Sequence, residues 1–321
     1  MKRKLIEVAF EITYDCNLNC FHCYNKDNLG SKKEMSTEQI IIVLDELAGF
    51  GVEKLKIGGG EPLLRPDLMD VYDYAIKKGL ETNFSTNGLL VLEKLGELIQ
   101  HNVKKLQISL DNVGAKHDEF RKHKGLFKIV EQSVMKLNKN SVSINIATTL
   151  TSKNQYDLKA VLDFCEEHKI AKWKVMKYIP KDSADPLLLK KEEYKQIITN
   201  LLDYKENNRT QTEIIVAREF DLIKVPSDYN DMQCFGGKSF VSMKPNGDIT
   251  PCSYIDDLVV GNIIEDRIEE IWNNPVLINF SQDYHNPSCI YAQKCRGGCK
   301  AITYKLNKQS RCDLYCWVKK E

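Results

Sequence analysis

The chain has 321 residues, 42% of them hydrophobic, and its 46 basic and 45 acidic side chains leave a formal net charge of +1. That length allows one large domain or two with a substantial core, and the even charge balance argues against nucleic acid or an anionic membrane as partner. No run of eighteen apolar residues occurs, which excludes a transmembrane helix.

The opening MKRKLIEVAFEIT starts basic, but Glu7 and Glu11 break its apolar stretch. We read IEVAFEIT (6–13) as a strand rather than a targeting segment and expect a cytoplasmic protein. MSTEQIIIVLDELAGFG (35–51) reads as a helix, with a capping box from Ser36 to Gln39 and a glycine stop. EKLKIGG (53–59) is the next strand, and PDLMDVYDYAIKKG (66–79) a helix opened by Pro66 and closed by Gly79. ETNFSTNG (81–88) is a strand and turn, with a helix near 90–101. Further strands fall at 104–111, 141–150 and 171–179, and further helices at 116–138, 155–169 and 190–206.

Six strand–helix units imply parallel strands joined by right-handed crossovers, either doubly wound or an incomplete barrel. In both, ligands gather at the C-terminal ends of the strands. From about residue 226 helices shorten and cysteine, glycine and proline become frequent. PNGDITPC (245–252) reads as a hairpin turn into a strand and DRIEEIWNNP (266–275) as a short helix. We therefore divide the chain into a core over 1–210, a linker over 211–225 and a cysteine-rich lobe over 226–321.

Eleven cysteines are present. Three lie at 16–23, seven between 234 and 316, and Cys165 sits alone in the helical pattern LKAVLDFCEEHK as a buried small residue. Clusters at both ends of a leaderless chain fit metal binding better than a disulfide framework. Cys16, Cys20 and Cys23 are spaced C-x3-C-x2-C and follow the first strand directly. Structural zinc usually takes four ligands. Three thiolates suit a four-iron cluster with one open iron, with zinc as the alternative.

With its neighbours, this spacing resembles the radical S-adenosylmethionine (radical SAM) superfamily. Gly59-Gly60-Glu61-Pro62 is similar to that family's GGEP, Ser85-Thr86-Asn87-Gly88 to its STNG, and Ser109-Leu110-Asp111 to its S-x-D, each at a strand end in the expected order. The resemblance implies a partial (β/α)6 TIM-like barrel and one SAM-binding 4Fe-4S cluster on Cys16, Cys20 and Cys23. Gly59, Gly60 and Glu61 would hold the amino group of SAM. Ser85, Asn87, Ser109 and Asp111 would approach the rest of it, and His22 would stack where an aromatic residue usually meets adenine. The implied reaction is reductive cleavage of SAM to a 5′-deoxyadenosyl radical that abstracts hydrogen from a substrate, with an electron from a donor such as flavodoxin or ferredoxin.

The second cysteine group resembles the SPASM extension of such enzymes, which holds two auxiliary 4Fe-4S clusters. Cys234, Gly247-x4-Cys252, Cys289-x5-Cys295-x3-Cys299 and Cys316 follow its pattern, but Asn286 stands where a further cysteine is usual. By the resemblance Cys234, Cys252 and Cys299 bind the first auxiliary cluster, leaving an open iron or a non-cysteine ligand. Cys289, Cys295 and Cys316 bind the second, completed by Cys312 or, less well, His285. A zinc ribbon and a single auxiliary cluster are the alternatives. In sulfatase-maturing relatives a basic Asp follows the G-x4-C cysteine; here that residue is Ser253.

Many SPASM enzymes act on ribosomally made peptides, and a peptide or protein side chain is the leading substrate expectation. A peptide would need a separate leader-recognition protein or direct docking. The stretch DELAGFGVEKLKIGGGEPLLRPDL also resembles radical SAM enzymes acting on haem precursors, which is the second reading. An iron–sulfur electron carrier or zinc-binding module is the non-enzyme reading, and would need no SAM pocket. KHDEFRKHK (116–124) reads as a solvated helix face with His117 and His123 exposed. Trp173, Trp272 and Trp317 read as packing residues. One of Lys174 and Lys177 is expected to face the site.

Overall fold

The computed structural model describes residues 3–28, 30, 33–207, 210–216, 234–282, 297–306 and 314–316. Seven parallel strands lie side by side in chain order: β1 (Glu7–Thr13), β2 (Lys54–Gly59), β3 (Glu81–Thr86), β4 (Lys105–Ser109), β5 (Ser143–Leu150), β6 (Lys172–Lys177) and β7 (Glu213–Val216). On the other side of β1, β8 (Phe240–Met243) also runs parallel, and β9 (Asp248–Thr250) and β10 (Gly261–Asn262) follow antiparallel. The ten-stranded sheet has β10 and β7 at its ends, so it is an open, partial barrel.

Period-two alternation sorts the side chains. One face of the strands buries Val8, Phe10, Ile57, Phe84, Ile108, Ile146 and Trp173 in the core. The opposite face is polar: Glu7, Lys56, Ser85, Gln107 and Thr149 border an internal cavity. There Lys56 pairs with Glu7 at 2.5 Å, Gln107 donates to Ser85 Oγ at 2.9 Å, and Lys174 donates to Gln107 Oε1 at 2.8 Å. A small closed barrel fills this space with branched apolar side chains; here polar chains leave room for a ligand.

The predicted capping box forms, with Ser36 Oγ accepting from the Gln39 amide at 3.3 Å and Gln39 Oε1 from the Ser36 amide at 2.9 Å. It opens α1 (Thr37–Phe50), which packs beside α2 (Leu68–Lys77). The hairpin at 245–252 is present between β8 and β9, with Gly247 at φ +90°. A Cβ there would stand 2.8 Å from Asn262 Oδ1, so glycine is required sterically as well as conformationally.

Two expectations need correction. The single helix over 116–138 is two, α3 (Ala115–Arg121) and α4 (Leu126–Lys139). Lys122 at φ +56° and Gly125 at φ +83° break it, because left-handed backbone cannot continue a right-handed helix. The linker over 211–225 is also misplaced at its start, since β7 pairs with β6 and extends the core sheet to residue 216; 217–233 lie outside the described residues. No described helix is long and apolar enough to cross a membrane.

Trp173 shows how the helix-facing core is held. It is fully buried, and its Nε1 donates to Thr148 Oγ1 at 2.8 Å. Trp173→Ala is expected to cost about 3–5 kcal/mol, read as a lower denaturant midpoint under anaerobic conditions.

Candidate active site

The site begins where β1 ends. Its pairing with β2 is irregular between Glu11 and Thr13, and such irregularities re-aim a strand end. The chain then turns into the cysteine loop. Gly60 N–H donates to Thr13 O at 2.8 Å and Glu61 N–H to Asp15 O at 2.7 Å. A Cβ on Gly60 would lie 1.9 Å from Asp15 O, so this approach excludes every other residue. Arg65 clamps the same corner, donating to Ile12 O at 2.9 Å and Met35 O at 2.8 Å and pairing with Asp67 at 2.7 Å.

A cavity of about 430 Å³ opens there, bordered by Cys16, Cys20, Cys23, residues 58–60, Ser85, Asn87 and Ser109. The three cysteines and most of the expected SAM contacts therefore do meet. Glu61 and Asp111 are placed differently. The Glu61 carboxylate is fully buried and accepts from the Leu63 amide at 3.1 Å, Thr86 Oγ1 at 2.7 Å and the Asn87 amide at 2.7 Å. It organises the strand-end loops, and the glycine backbone before it borders the cavity instead. Asn87 also donates to Asn17 Oδ1 at 2.8 Å, tying the β3 turn to the cysteine loop.

Asp111 is likewise fully buried, held by Arg121 Nε at 2.7 Å and Nη2 at 2.6 Å and by the Thr149 amide at 2.8 Å. Burial alone would raise its carboxyl, but Arg121, His22 and His117 together hold it below the ordinary value. KHDEFRKHK is thus only partly a solvated face: Lys116, Glu119, Lys122 and Lys124 are exposed, but the histidines are not. His117 is fully buried and His123 half-buried. Arg121, which we did not single out from the sequence, is buried and borders the cavity. Its signal was the alternation of Phe120-Arg121 with charged neighbours, which periodicity cannot separate from an exposed face.

His22 borders the cavity with its ring 4.8 Å from that of Phe120. Burial lowers its pKa to about 4, leaving a neutral ring. Lys177 borders the cavity while its Nζ lies 5.9 Å from the Tyr194 ring and 5.6 Å from the Tyr315 ring. Lys174 points into the barrel floor, where burial and Lys56 lower its pKa to about 8. Trp173 and Trp272 pack as expected, and Trp317 lies outside the described residues.

Among the lobe cysteines, Cys252 senses Cys234 electrostatically, and Tyr254 senses both Cys252 and Cys299. Cys252 thus lies near Cys234, and Tyr254 near Cys252 and Cys299. Cys316 is described and half-buried; Cys289, Cys295 and Cys312, with His285 and Asn286, lie outside the described residues. Ser253 and Tyr254 form part of the cavity wall. Cys165 is fully buried in a helix, as expected of a packing residue.

The residues suit an iron–sulfur cluster and a nucleotide. Burial pushes the Cys16 thiol up to about 11 and the Cys252 thiol up to about 12, and raises Cys20 and Cys23. Such thiols stay protonated until a metal displaces the proton. Three cysteines lining one cavity, with no fourth cysteine among its described lining residues, suit a four-iron cluster with one open iron. His22 Nδ1 is buried with no hydrogen-bond partner among the described residues, a polar atom left for a ligand or water to satisfy.

The fold and site define an iron–sulfur enzyme that binds a nucleotide at the mouth of an open barrel. Residues 10–165 match the Radical SAM superfamily and 234–300 the SPASM iron–sulfur cluster-binding domain. The chain belongs to the radical SAM superfamily and carries a C-terminal SPASM domain; its cofactors are SAM and 4Fe-4S clusters. It is 26% identical to an AdoMet-dependent heme synthase of Methanosarcina barkeri, over 92% of this chain and 91% of that one. It is 27% identical to the antilisterial bacteriocin subtilosin biosynthesis protein AlbA of Bacillus subtilis, over 98% of this chain and 72% of that one. The fold is shared with Streptococcus suis SuiB bound to S-adenosylmethionine, at TM-score 0.78 and 18% identity over 98% of this chain and 77% of that one. It is also shared with anSMEcpe with bound AdoMet, at TM-score 0.75 and 18% identity over 97% of this chain and 94% of that one.

Two outcomes test this geometry. Gly60→Ala should lower SAM binding at least tenfold, by equilibrium dialysis of the reconstituted protein, while its circular dichroism stays unchanged. His117 gives a pH effect. Burial lowers its pKa from 6.5 to about 4, so the unfolded chain binds the proton first as pH falls. Its contribution to stability is present above pH 6.5 and is lost as pH drops toward 4. His117→Gln should flatten the stability loss across that window, by about 1–3 kcal/mol.

Proposed function

We propose that this radical SAM enzyme acts on a side chain of a peptide or protein. The observation that carries the reading is a second, open cleft of about 920 Å³ that shares His22, Cys23, Tyr24, Tyr178 and Ile179 with the cysteine-lined cavity. Its lining includes charges of both signs, Lys26, Lys153, Lys181 and Lys305 with Asp182, Asp185, Asp256 and Asp257. An open cleft with charged groups of both signs among its lining residues suits a peptide with its own backbone donors and acceptors. Similarity to the mycofactocin maturase MftC of Mycolicibacterium smegmatis, 26% identical over 92% of this chain and 78% of that one, supports the same reading.

Bound SAM, reduced through the cluster, supplies a 5′-deoxyadenosyl radical that removes hydrogen from a substrate. The chain's own groups arrange that chemistry. Cys16, Cys20 and Cys23 would hold the cluster, and the backbone at 58–60 lets a ligand approach closely. Ser85, Ser109 and Arg121 offer donors to oxygen atoms of the ligand, and the neutral His22 ring offers a stacking face. Ser253 is no base for a substrate proton at neutral pH, so proton acceptance falls to another group or to solvent.

Action on a haem precursor is the second reading, supported by the similarity to the AdoMet-dependent heme synthase of Methanosarcina barkeri. The assay is anaerobic incubation of the reconstituted enzyme with SAM, dithionite and either a short peptide, taken from a neighbouring gene where one is found, or a haem precursor. The enzyme should release 5′-deoxyadenosine, and Cys20→Ala should abolish release. A mass change in the peptide upholds the proposal, a change in the haem precursor alone selects the second reading, and bound iron without 5′-deoxyadenosine points to an electron carrier.

A further inference from the structure

The charge pair Asp111–Arg121 lies directly beneath the cysteine loop. Arg121 grips Asp111 with Nε at 2.7 Å and Nη2 at 2.6 Å, and neither residue reaches solvent appreciably. Arg121 borders the same cavity as Cys16, Cys20 and Cys23, and the Phe21 amide of the cysteine loop donates to Phe120 O, beside Arg121, at 3.3 Å. The carboxylate is drawn the other way, toward the Thr149 amide at 2.8 Å, and the Asp111 amide donates to His117 Nδ1 at 3.3 Å. The remaining titratable groups facing the pair are His22, whose Nε2 is 3.8 Å from Asp111, the Cys16 and Cys23 thiols, and Glu61 on the neighbouring loop. The positive member of a buried pair therefore borders the cavity that the three cysteines line, and the negative member lies behind it.

A guanidinium does not lose its proton in proteins, so this charge is permanent. Hydrogen bonds to the sulfurs and the local net charge are among the factors that set an iron–sulfur reduction potential. A fixed cation in a poorly solvated site favours the form carrying the extra negative charge.

We infer that Arg121 raises the reduction potential of the cluster held by Cys16, Cys20 and Cys23, and that Asp111 orients Arg121 and partly offsets its charge. The inference rests on the reading of that loop as a cluster site. The step is a one-electron reduction of the cluster by an external low-potential donor, with no proton transferred, because Arg121 keeps its charge throughout. Arg121 is a positioning and tuning residue for the loop's redox chemistry.

The test is an EPR-monitored redox titration of the anaerobically reconstituted full chain without SAM. The relevant signal is identified in parallel samples as the one that changes when SAM is added. In Arg121→Gln the ratio of reduced to oxidised cluster at a given potential should fall about tenfold, a shift of about 59 mV for a one-electron couple. In Asp111→Asn, which leaves the cation uncompensated, the shift should have the opposite sign. Arg121→Lys, which keeps the charge, should restore at least half the wild-type ratio. Loss of a merely structural contact would lower iron content without giving opposite signs. Shifts of the same sign in Arg121→Gln and Asp111→Asn, or no shift in either, overturn the inference. If Arg121→Gln fails to hold iron, the Asp111→Asn and Arg121→Lys titrations decide it: an upward shift in the first with restoration in the second supports it, and any other pair of results overturns it. A wild-type chain with no SAM-responsive iron signal refutes the cluster reading and this inference together, whereas a normal wild-type signal with unshifted variants refutes the inference alone.

Discussion

The Glu61 carboxylate holds the mouth of the barrel in shape. It is fully buried and takes donors from its own turn, from Thr86 and from the amide of Asn87. An unpartnered carboxylate in that place would cost several kcal/mol, so the β2 and β3 loops are locked in the one arrangement that supplies its donors. The lock extends to the cysteine loop through Asn87 and Asn17 and through the amides of Gly60 and Glu61. Cysteines on a loop of this length would otherwise sample many arrangements; here the strand register of the sheet sets their spacing.

The cysteine-rich lobe is no separate appendage. β8 pairs with β1 in the same sheet. Lys244, just beyond β8, is buried and contacts Glu11 of β1 at 2.8 Å and Asp256 of the lobe at 2.5 Å. Glu11 also accepts from Asn25 Nδ2 at 2.8 Å. Burial pushes the Glu11 carboxyl up, and Lys244 opposes that shift. Tyr24 of the cysteine loop packs its ring 4.7 Å from that of Tyr254. The cavity wall is thus built from both regions at once, and a substrate entering it meets groups from each.

Much of this was legible from residues alone. Strands carry a period of two and end at chemically distinctive residues, so β1 to β6 and the cysteine loop could be placed without coordinates. Thiol spacing singled out the loop that borders the cavity, because few functions need three cysteines within eight residues. The misses share one cause, namely that tertiary partners are invisible to local pattern. Arg121 and His117 lie in a stretch whose charge suggests solvent, and they are buried only because Asp111 is there to receive them. Glu61 looked like a ligand contact because its motif is one, yet its side chain serves the neighbouring loops. β7 is four residues long, and only its pairing with β6 makes it a strand. The break between α3 and α4 was signalled by Gly125, which was outweighed by the helical pattern on both sides.

The central claim is that the Cys16–Cys20–Cys23 loop carries a cluster with an iron accessible to SAM. It is tested most directly by the EPR spectrum of the anaerobically purified, reduced protein with and without SAM, alongside its metal content. The account predicts iron at this loop and a signal whose shape changes on adding SAM, both lost in Cys16→Ala. Zinc at the loop, or an iron signal indifferent to SAM, would contradict it.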